Sequence, residues 1–210
     1  MIAHSTIDLK TPTMLGLAAL IGGHAVAEFT VMAGGALNAG VTPVELKEIV
    51  YQSVAYVGMG KAFDFVRAAN EVLAGRGVAL PLPGQSTTTR ETRLDQGLAA
   101  QQAIFGAAID RMREQAPKDE QHIQQFLSAN CFGDFYTRTG LDLKQRELVT
   151  LSLLIGLRGA EPQLKGHIQG NLNVGNDRAV LVGVITALLP WVGYPRTLTA
   201  LKCVDDVVPS

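Results

Sequence analysis

An internal repeat constrains the fold of this chain more than any other sequence feature. Residues 35–66 and 170–201 follow one pattern when the second segment is moved back by 135 positions. Seven residues are identical over the first 24 aligned positions, and apolar residues match between them. The identical pairs are Gly35/Gly170, Leu37/Leu172, Asn38/Asn173, Gly40/Gly175, Leu46/Leu181, Val57/Val192 and Gly58/Gly193. The pattern predicts two diverged copies of one structural unit.

Both copies carry the sequence pattern of four helices. In the first copy, Thr42 precedes a proline and, three positions on, Glu45, which is typical of a helix start. No stretch alternates as a half-buried strand does, so the sequence predicts an all-α fold. The predicted helices are Thr11–Leu20, Ala25–Leu37, Pro43–Val57 and Lys61–Leu73 in the first copy, and Leu143–Leu157, Pro162–Leu172, Arg178–Leu189 and Pro195–Val207 in the second.

The segment between the copies divides into a linker and a helical extension. Residues 75–90 contain two prolines, three glycines and a Ser/Thr run, a composition typical of linkers. Apolar residues over 93–115 recur on one helical face, and 120–129 forms a further short helix. The predicted organisation is a first unit over residues 1–74, the linker, and a second unit with this extension over residues 91–210.

Composition and charge exclude several classes of function. The net charge is −1 and no Lys/Arg run exceeds two residues, so neither nucleic acid nor an anionic membrane is an expected partner. No apolar stretch reaches about 18 residues without Gly, Pro or charge, which predicts no membrane span. Cys131 and Cys203 form no metal-ligand or disulfide pattern, and the N-terminus lacks a leader pattern, so a cytoplasmic location is expected. A hydrophobic content of 47% favours a homo-oligomer.

Two stretches carry a resemblance to a known family. LNAGVTPVELKEIVYQSVAYVGMGKA in the first copy, and FGDFYTRTGLDLKQRELVTLSLLIGL with QLKGHIQGNLNVG in the second, resemble the carboxymuconolactone decarboxylase family, which includes the alkylhydroperoxidase D-like proteins. The resemblance implies a duplicated helical bundle of that type. Single-unit members often form hexamers, so a chain with two units is expected to form a homotrimer.

The resemblance also identifies a candidate acid–base site in the second copy. His167 stands eight residues before Gly175, where family members carry a functional histidine. Gln163 lies one helical turn earlier, at a position where decarboxylase-type relatives often carry Glu and thiol peroxidases carry the second Cys of CxxC. Glu147 occupies the position of a carboxylate that acts in proton transfer in peroxidase-type relatives. The three candidate catalytic residues are thus His167, Glu147 and Gln163, with no metal or cofactor expected.

Further candidates are assigned to substrate binding. Arg146 and Lys165 are candidate anchors for an anionic substrate, although each is also consistent with a solvated or intersubunit charge. Tyr136 and Trp191 are expected to pack the pocket walls or an interface, with Tyr136 a possible hydrogen-bond donor. Cys131 is interpreted as an isolated buried thiol.

The first copy lacks the equivalent residues. Shifted by 135, His167, Gln163 and Glu147 correspond to Met32, Glu28 and Pro12. His24 and Glu28 are four residues apart, but His24 is outside the family position. A structural role is therefore predicted for the first copy.

Three functions are consistent with these residues. The first is a cofactor-free lyase or isomerase acting on a small carboxylated or lactone-type carbonyl compound. In it, His167 would protonate the carbanion, Gln163 would orient the oxygen and Glu147 would hold the imidazole. The second is an alkylhydroperoxidase-like thiol peroxidase, which lacks its CxxC here. The third is a non-catalytic ligand-binding or scaffold protein.

Overall fold

The computed structural model describes residues 8–209 and confirms the all-α fold class, since this part of the chain contains helices and no strand. Residues 1–7, on which part of the leader prediction rests, and Ser210 lie outside the described residues. The described elements are α1 (Lys10–Gly22), α2 (Val26–Asn38), α3 (Pro43–Val57), α4 (Met59–Gly75), α5 (Arg93–Phe105), α6 (Ala108–Gln115), α7 (Gln121–Phe126), a π-helical segment (Leu127–Tyr136), α8 (Leu143–Gly156), α9 (Glu161–Asn173) and α10 (Arg178–Val207).

The two copies have matching helix bounds. Helix α9 begins and ends 135 residues after α2, and α10 begins 135 residues after α3. The repeated glycines Gly58 and Gly193 both have a positive φ, at 77° and 75°, and each separates two helical stretches. Glycine is required there because L side chains rarely adopt this conformation. The division at residues 74 and 90 stays a prediction.

Helices α1 and α8 cross at the centre of a single core shared by both copies. Met14 to Gly22 of α1 and Arg146 to Gly156 of α8 are all buried. The backbones approach closely at the crossing, where a Cβ on Gly156 would lie 2.3 Å from the carbonyl oxygen of Ala19. The cluster of buried apolar side chains contains residues from both copies, so neither copy closes a core without the other.

Substitution of Gly156 by Ala is expected to lower the free energy of unfolding by about 3 kcal/mol, because the new methyl group meets backbone that cannot move aside. Gly35→Ala is the matched control, since a Cβ at this exposed position of α2 meets nothing within 4 Å. That substitution is expected to stabilise the protein by roughly 1 kcal/mol through helix propensity. Chemical denaturation measures both, and equal effects would contradict the close crossing.

Three local predictions about helices are corrected by the structure. The helix predicted over 93–115 is broken at Gly106, whose φ of 60° ends α5. The helix predicted to stop at Leu189 continues through Pro190 to the kink at Gly193, because that proline costs only hydrogen bonds near the end of the stretch. The short helix predicted over 120–129 ends at Phe126, and the backbone over 127–136 is π-helical, a rare form that often occurs at functional sites.

By length and composition, α10 is the one helix among residues 8–209 that is apolar enough to cross a membrane. It is not continuous, since the backbone at Gly193 leaves the helical region. Leu181, Val184, Ile185 and Leu188 of its first half are buried in the core of the protein. A membrane span needs about 20 continuous helical residues, and the kink at Gly193 divides α10 into two shorter helices, each of which buries one face in the protein.

Candidate active site

A cavity of about 690 Å³ lies between α3, the extension formed by α5 and α6, the π-helical segment, and the turn from α8 to α9. Most of its wall is apolar, including Phe105, Ile109, Met112, Leu154 and Leu157. The polar or ionisable side chains among its lining residues are Tyr56, Gln101, Cys131, Arg158, Gln163 and His167. An apolar cavity with a few converging polar groups is the usual form of a small-molecule site.

His167 and Glu147 form a hydrogen-bonded pair at this cavity. Nδ1 of His167 lies 2.9 Å from Oε2 of Glu147. The His167 side chain is 12% exposed, whereas Glu147 is fully buried behind it. The carboxylate fixes the imidazole with its proton on Nδ1, so Nε2 is directed away from Glu147 and is available to a ligand.

Two neighbouring groups hold His167 in this orientation. The ring of Phe105 lies edge-to-face with the imidazole at a centroid distance of 5.4 Å. Gly170, one turn after His167 on α9, leaves space for the carboxylate that pairs with the imidazole, since a Cβ there would lie 2.7 Å from Oε2 of Glu147. The repeated glycine therefore has a specific use in the second copy, where it makes room for the pair. Sequence reasoning counted Gly170 only as a marker of the repeat.

A buried network of hydroxyl groups continues from Glu147. Tyr136 donates to Oε1 of Glu147 at 2.8 Å, and its oxygen lies 2.6 Å from Oγ1 of Thr150 and 3.0 Å from the hydroxyl of Tyr56. Burial raises the pKa of Tyr136 well above its usual value, and the charge of Glu147 raises it further. Tyr136 is therefore a neutral donor that orients the carboxylate, rather than a residue of the cavity wall.

Gln163 lies where the sequence predicts, on the wall of the cavity one turn before His167. Both side chains belong to α9, and residues four apart lie on the same helix face. An amide can donate and accept hydrogen bonds but does not titrate. Gln163 is therefore suited to orienting a ligand beside His167.

Arg146 does not reach the cavity, which corrects its assignment as a substrate anchor. It is fully buried, and its guanidinium donates to Glu48 at 3.1 Å, to Gln52 at 2.9 Å and to the carbonyl of Arg138 at 2.7 Å. Burial lowers the pKa of Arg146, and the charge of Glu48 opposes that shift. Arg146 instead joins α8 to α3. Lys165 pairs with Asp206 at 2.8 Å and stands outside the lining residues.

Trp191 is also absent from the cavity wall. It is 37% exposed and packs against α1, where its Nε1 lies 3.1 Å from the position of a Cβ on Gly16. Its equivalent in the first copy, Tyr56, is the residue that lines the cavity. Trp191 of the second copy thus packs against the first copy, and Tyr56 of the first copy lines the site of the second.

The other polar candidates of the first copy form no comparable site. His24 and Glu28 are both exposed, and His24 packs edge-to-face on Phe65. Met32 packs against the shared core. What sequence reasoning missed is Tyr56, for which the alignment with Trp191 was the available signal, and Arg158 at the start of the loop between α8 and α9.

Cys131 lies on the cavity wall but is poorly suited to thiol chemistry. Burial raises the pKa of its thiol to about 12, and the hydroxyl of Tyr56, 3.9 Å away, is its hydrogen-bond partner. The thiol is therefore protonated at neutral pH, whereas attack on peroxide requires a thiolate. The other cysteine, Cys203, lies on α10 and is not among the residues that line the cavity.

Comparisons with known proteins point to one family. The sequence model of the carboxymuconolactone decarboxylase family matches residues 1–71 and 121–206. The chain is 29% identical over 118 residues to a 4-carboxymuconolactone decarboxylase of Acinetobacter baylyi, covering 56% of this chain and 87% of that protein. It is 26% identical over 119 residues to a nitrosuccinic acid decarboxylase of Metarhizium robertsii, covering 54% and 82%. The extension, which supplies Phe105, Ile109 and Met112 to the cavity, falls between the two matched segments.

Proposed function

Because the chain belongs to the carboxymuconolactone decarboxylase family, we propose that it removes carbon dioxide from a small anionic carbonyl compound, with His167 as the proton donor. The family and the two similar decarboxylases support a decarboxylase-like function. The role of His167 as proton donor is proposed from one observation, the pair that it forms with Glu147, 2.9 Å away at the wall of an apolar cavity. It is the arrangement that an acid–base histidine needs.

The proposed reaction has two steps. First, the bond between the substrate's carbon and its carboxylate breaks, carbon dioxide leaves, and the electron pair delocalises into a conjugated carbonyl group. Second, the imidazolium of His167 gives its Nε2 proton to the carbon, and the neutral imidazole regains a proton from solvent. Glu147 holds the imidazole in place through both steps, because its carboxylate accepts from Nδ1. The apolar wall favours the first step, because the charge localised on the carboxylate becomes spread over the conjugated carbanion.

Arg158 replaces Arg146 as the proposed anchor of the substrate. It is the one permanently charged side chain among the described residues that line the cavity, and it stands exposed at its edge. A guanidinium binds a carboxylate or a lactone oxygen through a planar pair of donors. Arg158, at one end of the cavity, would bind the charged end of the substrate. His167 and Gln163, on α9, would contact the reacting end.

The proposed substrate is not necessarily that of either relative. Phe105, Ile109 and Met112 form part of the wall, and they belong to the extension outside the segments matched by the family model. Because pocket shape and its contacts decide which substrate is accepted, this wall favours a compound with an apolar body. We therefore include in the proposal only the class, a small carboxylated or lactone-type carbonyl compound.

The proposal is tested by measuring carbon dioxide release from 4-carboxymuconolactone, oxaloacetate and acetoacetate. Arg158→Gln is expected to raise KM about tenfold, since a charge-assisted hydrogen bond contributes roughly 1.5–3 kcal/mol and this one is partly solvated. Lys165→Gln is the matched control, because it removes an exposed charge outside the cavity. No release from any of the three compounds by the wild-type protein, or equal KM values for both variants, would count against the proposal.

Assembly as a homo-oligomer, with a homotrimer favoured, and a cytoplasmic location remain part of the proposal. Support for assembly comes from large apolar side chains that are more than half exposed in the single chain, among them Val31, Phe63, Tyr194 and Leu198. Exposed apolar surface of this kind is what association between subunits would bury. The mass in solution tests this directly, and a monomer would contradict it.

A further inference from the structure

We infer that Tyr56, contributed by the first copy, is a catalytic residue of this site that binds the oxygen on which negative charge collects during the reaction. The inference rests on the proposed function and narrows its substrate class. It requires a substrate whose carbanion is conjugated with a carbonyl oxygen, and that oxygen must face α3 while the protonated carbon faces α9. A substrate whose charge is dispersed elsewhere would not use this residue.

The position of Tyr56 supports this role. It lies on α3 and lines the same cavity as His167. The two rings meet edge-to-face, with centroids 6.0 Å apart. Tyr56 and His167 are therefore neighbours on one wall, and the inference places the hydroxyl of Tyr56 within reach of a ligand that contacts Nε2 of His167. Hydrogen-bond donors aimed at developing charge are usually the largest single contribution to catalysis.

Counting the hydroxyl protons shows that Tyr56 has one to give. The proton of Tyr136 goes to the carboxylate of Glu147, at 2.8 Å. The proton of Thr150 fits the oxygen of Tyr136, at the short distance of 2.6 Å, while Thr150 itself accepts from Gln52. The hydroxyl of Tyr56 lies 3.0 Å from the oxygen of Tyr136 and 3.1 Å from that of Thr150, and without a ligand its proton goes to one of them. Because both of these oxygens already have another donor, Tyr56 can turn its proton to a stronger acceptor, such as an enolate oxygen, and lose only this one hydrogen bond.

The environment keeps Tyr56 a hydrogen-bond donor rather than an acid. Burial raises its pKa well above the usual value, and the nearby Cys131 and Glu147 raise it further. The phenol therefore stays protonated while an enolate forms beside it. In the proposed reaction the O–H bond of Tyr56 does not break: carbon dioxide leaves with its two oxygens, the enolate oxygen accepts the hydrogen bond, and the carbon receives its proton from His167.

The test uses 4-nitrophenolate, a stable oxyanion whose visible absorption changes when its oxygen accepts a hydrogen bond. Wild-type protein is expected to bind it, and Tyr56→Phe is expected to raise the Kd about tenfold or more. Trp191→Phe, at the equivalent position of the repeat, is the control and is expected to leave the Kd unchanged. On a decarboxylated substrate, Tyr56→Phe is expected to lower kcat about 10²-fold with little change in KM.

Replacement of Tyr56 by 3-fluorotyrosine guards against a merely structural effect. The fluorine makes the O–H group a stronger donor, so 4-nitrophenolate is expected to bind more tightly, a change that damage to the fold would not produce. Equal Kd values for wild type and Tyr56→Phe, or no binding by the wild type at pH values where the phenolate is formed, would overturn the inference. This result does not depend on turnover, so it is separate from a failure to detect carbon dioxide release.

Discussion

Replacing His167 with glutamine is expected to lower kcat for carbon dioxide release by about 10²–10⁴-fold, the range that a positioned acid–base group contributes. Glutamine keeps much of the side-chain volume and can still accept from or donate to the cavity, but it cannot deliver a proton to carbon. KM is expected to change little, because the proposed anchor Arg158 stands elsewhere on the cavity wall. Steady-state kinetics on whichever compound the wild type decarboxylates fastest measures both constants.

His24→Gln is the matched control for this substitution. His24 is exposed in the first copy and outside the cavity, so its replacement is expected to leave kcat and KM unchanged. Thermal unfolding of both variants checks that the fold persists. If His167→Gln retained the wild-type rate, His167 would have no part in the reaction, and the pair with Glu147 would have to be interpreted as a structural contact.

His167 and Glu147 were candidates because of their positions in the family pattern, and the structure shows that the two side chains meet. His167 and Glu147 are 20 residues apart, on α9 and α8, and the family pattern places both. The structure adds that glycine at position 170 leaves room for the carboxylate, since a Cβ there would lie 2.7 Å from Oε2 of Glu147. In the first copy, where Pro12 stands in place of Glu147, a Cβ on Gly35 would meet nothing within 4 Å.

The substrate anchor was not predictable in the same way. Arg146 and Glu147 are neighbours in sequence, and both were assigned to the site, Arg146 to bind the substrate and Glu147 to hold the imidazole. Successive residues of an α-helix point about 100° apart, so Arg146 and Glu147 on the central helix α8 face different neighbours and do not share one cavity. Glu147 faces α9 and Arg146 faces α3, where Glu48 and Gln52 receive it. The sequence of one helix does not show which neighbouring helix packs against each of its faces.

Tyr56 and Trp191 show a further limit of reasoning from a repeat. The alignment pairs them, and the aromatic residue of the intact copy was the natural choice. In the folded chain each of these side chains packs on the central helix of the other copy, with Tyr56 on Thr150 of α8 and Trp191 near Gly16 of α1. The site is therefore built from both copies, and a duplicated chain can lose one set of acid–base residues while keeping the wall that the other set needs.

Replacing Arg146 with methionine is expected to lower the free energy of unfolding by about 2–4 kcal/mol, since Glu48 loses one of its two partners in a buried ion pair. The guanidinium of Arg146 and the carboxylate of Glu48 are almost completely buried and lie 3.1 Å apart. After the substitution, Glu48 keeps its contact with the partly exposed Arg138, at 2.8 Å. Chemical denaturation monitored by circular dichroism measures the change.

Two further variants separate the buried charge from other effects. Arg93→Met removes a partly exposed pair with Asp134 and is expected to cost no more than about 1 kcal/mol. Glu48→Met combined with Arg146→Met removes both fully buried charges and is expected to recover part of the lost stability, since Arg138 then loses its partner. A cost for Arg146→Met as small as that for Arg93→Met would contradict the buried pair.

Since Gln52 joins Arg146 to Thr150, the Arg146→Met variant is also expected to weaken binding of 4-nitrophenolate. The double variant then shows whether the hydroxyl network depends on the charge of Arg146 or on the packing around it.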